Sequence, residues 1–125
     1  MWVFISMYAF RAALLISWLA VVYVTLTALG SESLAVAIDV YSNDLDAGNW
    51  RTQYCADLLV HLGLVGLWAA WRVKFSIQGV VIGLCCFLGG SLFSAAYLFA
   101  LTTYHKGDMS RVVMGKRYSE LSTEN

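Results

Sequence analysis

In the stretch Asn49 to Val73, "NWRTQYCADLLVHLGLVGLWAAWRV", Asp57 and His61 are the residues whose types and spacing could do chemistry. At i and i+4 they share one helix face. A histidine near neutral pKa beside a carboxylate can relay a proton or recognise a substrate. It can also ligate a metal, a haem or a chlorophyll-type pigment while the carboxylate orients or balances it. In a third role, the two bond to hydroxyls and to each other and so fix helix register. We expect the structural role; the residues select no particular cofactor.

The segment that carries the pair reads as a membrane helix. The 125-residue chain is 60% hydrophobic and 13% charged, contains no proline and has a mean hydropathy of +0.69. That composition makes the lipid bilayer its main solvent. The formal net charge is zero, which gives no basic surface for nucleic acid and no acidic one for a polycation. Cys55, Cys85 and Cys86 form no CxxC pattern, and the last two lie in an apolar run where a thiol packs as a small hydrophobe.

Three spans are expected, at about 12–29, 50–72 and 77–104, each long enough for a bilayer. The segment "MWVFISMYAF" extends the first helix or lies along the interface, and Arg11 snorkels to the headgroups as an interfacial anchor. Arg11, the apolar run after it and "ALG" at 28–30 resemble a signal peptide, but an uncleaved span is the expectation. Asn49 caps the second helix. Trp50 then marks one interface, and Trp68 and Trp71, with Arg72, mark the other. Trp50 to Trp71 is about 31 Å at helical rise, close to the hydrocarbon thickness.

The connection 30–48 gathers Glu32, Asp39, Asp44 and Asp46, and Leu34, Ile38 and Tyr41 fall at helical spacing within it. A short amphipathic surface helix with a solvated acidic face is expected there, since calcium-loop spacing is lacking. In the third span Gly79 and Gly83 form a small-xxx-small pair that Gly90 and Ser94 continue. Such a face lets helix backbones approach closely. The tail 105–125 carries Lys106, Arg111, Lys116 and Arg117. An up-down-up path puts Arg11, Arg72 and Lys74 on one side and Arg51 with those four on the other, which orients the C-terminus to the cytoplasm.

Asp57 and His61 then sit at hydrocarbon depth, where facing lipid costs several kcal/mol. They are expected to face protein, with hydroxyl partners among Tyr23, Thr25 and Thr27 of the first span and Tyr97, Thr102 and Thr103 of the third. The chain has no GxSxG, HExxH, P-loop or dinucleotide fingerprint, so no reaction is selected and an enzyme is not the expectation.

The second span, in "ADLL" at 56–59 and "WAAWR" at 68–72, resembles small uncharacterised bacterial inner-membrane families of about three spans. The resemblance implies a multi-pass protein of the bacterial inner membrane, of unknown activity, and it transfers no catalytic residue. The combined expectation is an all-α integral membrane protein, a three-transmembrane-helix up-down-up bundle with a short amphipathic loop helix. Its expected role is that of an accessory or scaffold subunit in a membrane complex or homo-oligomer. The alternative is a small transporter-like or pigment- or metal-binding protein built on Asp57 and His61.

Overall fold

The computed structural model describes residues 2–124, which fold into helices joined by short turns, with no strand among them. The helices are α1 (Trp2–Ser31), α2 (Leu34–Asp46), α3 (Trp50–Trp71), α4 (Ile77–Tyr104), α5 (Met109–Met114) and α6 (Tyr118–Thr123), with a 3₁₀ turn at Gly115–Arg117. Three segments, Ile5–Ser31, Trp50–Trp71 and Ile77–Tyr104, are long and apolar enough to cross a membrane.

Local signals start and stop these elements. Asn49 and Thr52 form a capping box at the head of α3, which satisfies backbone donors the first turn leaves unpaired. The turn from α3 into α4 holds Lys74 and Phe75 at positive φ, and the Ser76 side chain then accepts from the Gly79 amide to cap α4. Asp108 caps α5 through the amides of Ser110 and Arg111. The surface helix α2 lies along the first half of α3, where the Tyr41 hydroxyl donates to the Cys55 carbonyl at 3.0 Å.

The up-down-up path does not hold, because α4 is broken at Gly90, whose φ of 56° and ψ of −142° are not helical. Before the break, the chain descends along α3. A Cβ placed on Gly79 would lie 3.2 Å from the Ala70 carbonyl oxygen, and one on Gly83 would lie 2.6 Å from that of Gly66. Gly90 itself has reached the level of Leu62. After the break the direction reverses: the Tyr97 ring packs against Trp68 at 6.3 Å between centroids, and its hydroxyl accepts from Arg72 at 2.9 Å. Successive contacts on α3 thus run from residue 70 to 66 to 62 and back to 68 and 72. The arms 77–89 and 91–104 are each about 20 Å long at helical rise, and together they form a hairpin that starts and ends beside Arg72.

The hairpin also corrects the role of the glycine stripe. Gly79 and Gly83 pack against α3, whereas Gly90 makes the turn and Ser94 sits in the returning arm, its hydroxyl donating to the Gly90 carbonyl at 3.0 Å. Small residues mark the close seams on both arms: Ala69, Ala70, Cys86 and Ala95 are buried, as are Gly66, Gly79 and Gly83. Helix α1 pairs with the returning arm. Trp18 Nε1 donates to the Leu92 carbonyl at 2.8 Å, and a Cβ on Gly107 would lie 3.2 Å from Met7.

Candidate functional site

The Asp57 and His61 pair does not lie where the sequence expectation put it. Asp57 and His61 are exposed, with side chains 58% and 71% accessible, and among the described residues no other helix supplies either with a hydrogen-bond partner. The expected hydroxyl cluster does not assemble around them. Thr25 and Thr27 donate to their own helix carbonyls at Val21 and Tyr23, Tyr23 is exposed, and Thr103 donates to Phe99. Tyr97 and Thr102 are drawn to the opposite end of α3 by the reversal at Gly90, so neither can reach the pair.

The geometry of the pair specifies what it offers. His61 Nδ1 lies 3.0 Å from the Asp57 carbonyl oxygen and 3.7 Å from the Asp57 carboxylate. A carbonyl only accepts, so Nδ1 is the donor in that bond, which leaves Nε2 of a neutral ring as an acceptor. The Asp57 carboxyl beside it offers further acceptor oxygens. The face therefore asks for donors. Among the described residues no group of three His, Cys, Asp or Glu converges, so a metal held here would need further ligands from another chain.

A second polar centre, absent from the sequence expectation, lies at the end of α3. Arg72, expected as an interface residue, is only 4% exposed. Its Nε donates to the Val112 carbonyl at 2.9 Å and one terminal nitrogen to the Tyr97 hydroxyl at 2.9 Å, while the guanidinium sits within 6 Å of the Trp68 and Tyr97 ring centroids. Among the described residues no carboxylate pairs with it. Carbonyl oxygens and ring faces neutralise the cation in part. The tail is fastened round this point: the Lys116 amide donates to the Arg72 carbonyl at 2.9 Å, Trp68 Nε1 to the Val113 carbonyl at 3.1 Å, and Arg117 Nε to the Trp71 carbonyl at 2.7 Å. Lys74 and Glu120 form an ion pair, whose hydrogen bond holds the Glu120 carboxyl below its ordinary range.

The other interface residues divide between the two ends. Trp50 is exposed at the head of α3. Trp68 and Trp71 pack under the tail, Trp71 beneath the Arg117 guanidinium at 4.9 Å. Arg11 is tied inward, its Nε donating to Thr102 Oγ1 at 3.2 Å and its terminal nitrogen to the Thr102 carbonyl.

These positions overturn the expected division of charge. Arg11, Arg72, Lys74, Lys106, Arg111, Lys116 and Arg117 all lie at the end of the molecule where Arg72 is buried, and Arg51 alone lies at the other, paired with Asp44. Three carboxylates accompany the seven cations, a formal +4. Five carboxylates and one cation occupy the other half, a formal −4. A neutral chain is thereby strongly polarised along α3.

Fold and charge together define a small all-helical chain with three membrane-length apolar helices, one of them folded into a hairpin. Compared with known proteins, the chain matches no family model, no curated protein and no solved structure.

Proposed function

We propose that this chain is a small integral protein of a bacterial inner membrane that serves as an accessory or scaffold subunit, joined to a partner helix through the Asp57 and His61 face of α3. Helix α1 beyond Arg11 and helix α3 cross the bilayer, each with about 30 Å of helix. The hairpin of α4 is re-entrant: it enters from the basic end and turns near the midplane at Gly90. Seven of the eight Lys and Arg residues lie at that end, which makes it the cytoplasmic one. Both ends of the chain then face the cytoplasm, and α2 with its acids lies on the outer surface.

The observation that carries the role is the exposed pair at hydrocarbon depth. His61 is about 16 Å of helix from Trp50, half the length of α3. Leaving a carboxylate and an imidazole against lipid there costs several kcal/mol. A neighbouring helix that brings hydroxyl, amide or guanidinium donors satisfies two outward acceptors at once, and each such bond contributes about 1 kcal/mol. Among the described residues this chain brings none of those donors to the pair.

Particle mass and stability of Asp57→Leu/His61→Leu, purified in mild detergent, test the proposal. The double variant is expected to lose the larger particle while the isolated chain melts higher, since two polar groups have left the lipid-facing surface. His61→Gln is expected to retain most of the assembly, because an amide replaces an imidazole hydrogen bond. Unchanged particle mass in the double variant would remove the docking role. Loss of a visible absorption band in both His61→Gln and the double variant, with assembly intact, would establish the ligand role in its place.

A further inference from the structure

The basic end contains a cleft that the subunit role does not use. It has a volume of about 400 Å³ and lies between the end of α4 and the folded tail, lined by His105, Arg111, Lys116, Tyr118, Ser119 and Ser122. Two cations, an imidazole and the Tyr118 hydroxyl line one space, together with Ser119 and Ser122, whose hydroxyls donate to the carbonyls of Lys116 and Ser119. Arg72 lies beneath it as a buried charge to which no described carboxylate pairs. Of the neighbouring acids, Asp108 is held by Arg111 at 3.2 Å and Glu120 is paired with Lys74. Arg111 is also seated 5.3 Å from the Tyr118 ring centroid, which fixes its guanidinium at the cleft wall. The Lys116 backbone is pinned to Arg72, and its side chain is exposed.

We propose that this cleft receives the phosphate group of an anionic phospholipid from the cytoplasmic leaflet. A guanidinium, an ammonium and the Tyr118 hydroxyl match the oxygens of a phosphodiester. The position selects the lipid. The cleft opens where α4 ends, beside the exposed ring of Tyr104, at the level where a headgroup meets the basic end of a membrane protein. This inference uses the orientation given above but not the docking role of Asp57 and His61.

The test compares phospholipid retention by the purified full chain in nanodiscs of phosphatidylcholine containing phosphatidylglycerol, measured for the parent, Lys116→Gln, Lys116→Arg and Lys106→Gln. Lys106→Gln removes the same charge from the same end outside the cleft lining. The parent is expected to enrich phosphatidylglycerol. Lys116→Gln is expected to lower that enrichment about fivefold, the factor one basic residue supplies near an anionic surface, while Lys116→Arg keeps it. Equal losses in Lys116→Gln and Lys106→Gln would overturn the site, because undirected attraction to the leaflet would then account for the preference. Inorganic phosphate provides the other arm: millimolar phosphate that binds the parent as well as the lipid does, with no enrichment of phosphatidylglycerol, would overturn the lipid as the source. An unchanged melting temperature in Lys116→Gln separates loss of the lipid from loss of the fold. Enrichment and its loss are read in the same way if Asp57→Leu/His61→Leu leaves assembly unchanged.

Discussion

Replacing Gly90 with alanine sets two energies of the hairpin against each other. At φ 56° and ψ −142° the residue occupies backbone space that an L side chain enters at a cost of roughly 1–3 kcal/mol. Alanine also favours a continuous helix over glycine by about 1 kcal/mol. The substitution therefore shifts the balance toward a straight α4 by roughly 2–4 kcal/mol. Straightening would carry Tyr97 and the tail away from the end of α3. It would break five hydrogen bonds of 3.1 Å or less there: two donated by the Arg72 side chain, one each by Trp68 and Arg117, and one by the Lys116 amide. At about 1 kcal/mol for a neutral donor and 1.5–3 for a guanidinium, those bonds amount to roughly 6–11 kcal/mol. The hairpin wins. Gly90→Ala is thus expected to melt lower than the parent while a cysteine placed at Ser122 still labels from the same membrane face as one placed at Lys74. Adding Arg72→Leu removes two of the three guanidinium bonds and brings the opposing energies within about 2 kcal/mol, so part of the population is expected to move Ser122 to the other face. A Gly90→Ala variant that melts like the parent, or one that relocates its tail without the second change, would refute this reasoning.

Gly66→Ala, whose Cβ would lie 2.7 Å from the Gly83 carbonyl oxygen, should destabilise by about 1–3 kcal/mol through overpacking. Gly63→Ala, with nothing within 4 Å, should be neutral or slightly stabilising in the same thermal melt. Arg72→Leu alone should loosen the tail, seen as faster tryptic cleavage at Arg111 and Lys116 with the apolar helices still intact. Burial first, then Arg72 and Arg111, lower the His105 pKa below its ordinary 6.5, and Asp108 opposes them in part. The unfolded chain therefore binds the extra proton more readily than the folded one. Stability from this residue is full above pH 6.5 and is lost as pH falls through the lowered folded value, so His105→Gln should flatten the acid limb of a stability-against-pH curve.

The ends of α3 and α4 are legible because hydrophobic runs, Asn49 as a cap and the bracketing tryptophans are local signals, whereas α1 begins at Trp2, ten residues before the expected start of its span. The path of α4 is not legible. Gly90 reads in the sequence as one more member of a small-residue stripe, and a 28-residue apolar segment looks the same whether straight or folded. What decides between them is the set of bonds that Arg72 makes to residues 25 to 40 positions away, and no local pattern encodes those. A straight α4 would set Tyr97 and Thr102 beside Asp57 and His61 and the four tail cations opposite Arg72. The "GG" at 89–90 is the one sequence feature that could have marked the turn. A Cβ on Gly89 would lie 2.8 Å from that of Phe93, a crowding that a continuous helix does not produce at i and i+4.

The central claim, that α4 folds back on itself at Gly90, is tested most directly by the distance between spin labels at positions 77 and 104 in lipid bilayers. Two arms flanking α3 at helix packing distance place the labels less than about 20 Å apart. A single distribution centred near 40 Å, the length of a straight helix between those positions, would contradict it.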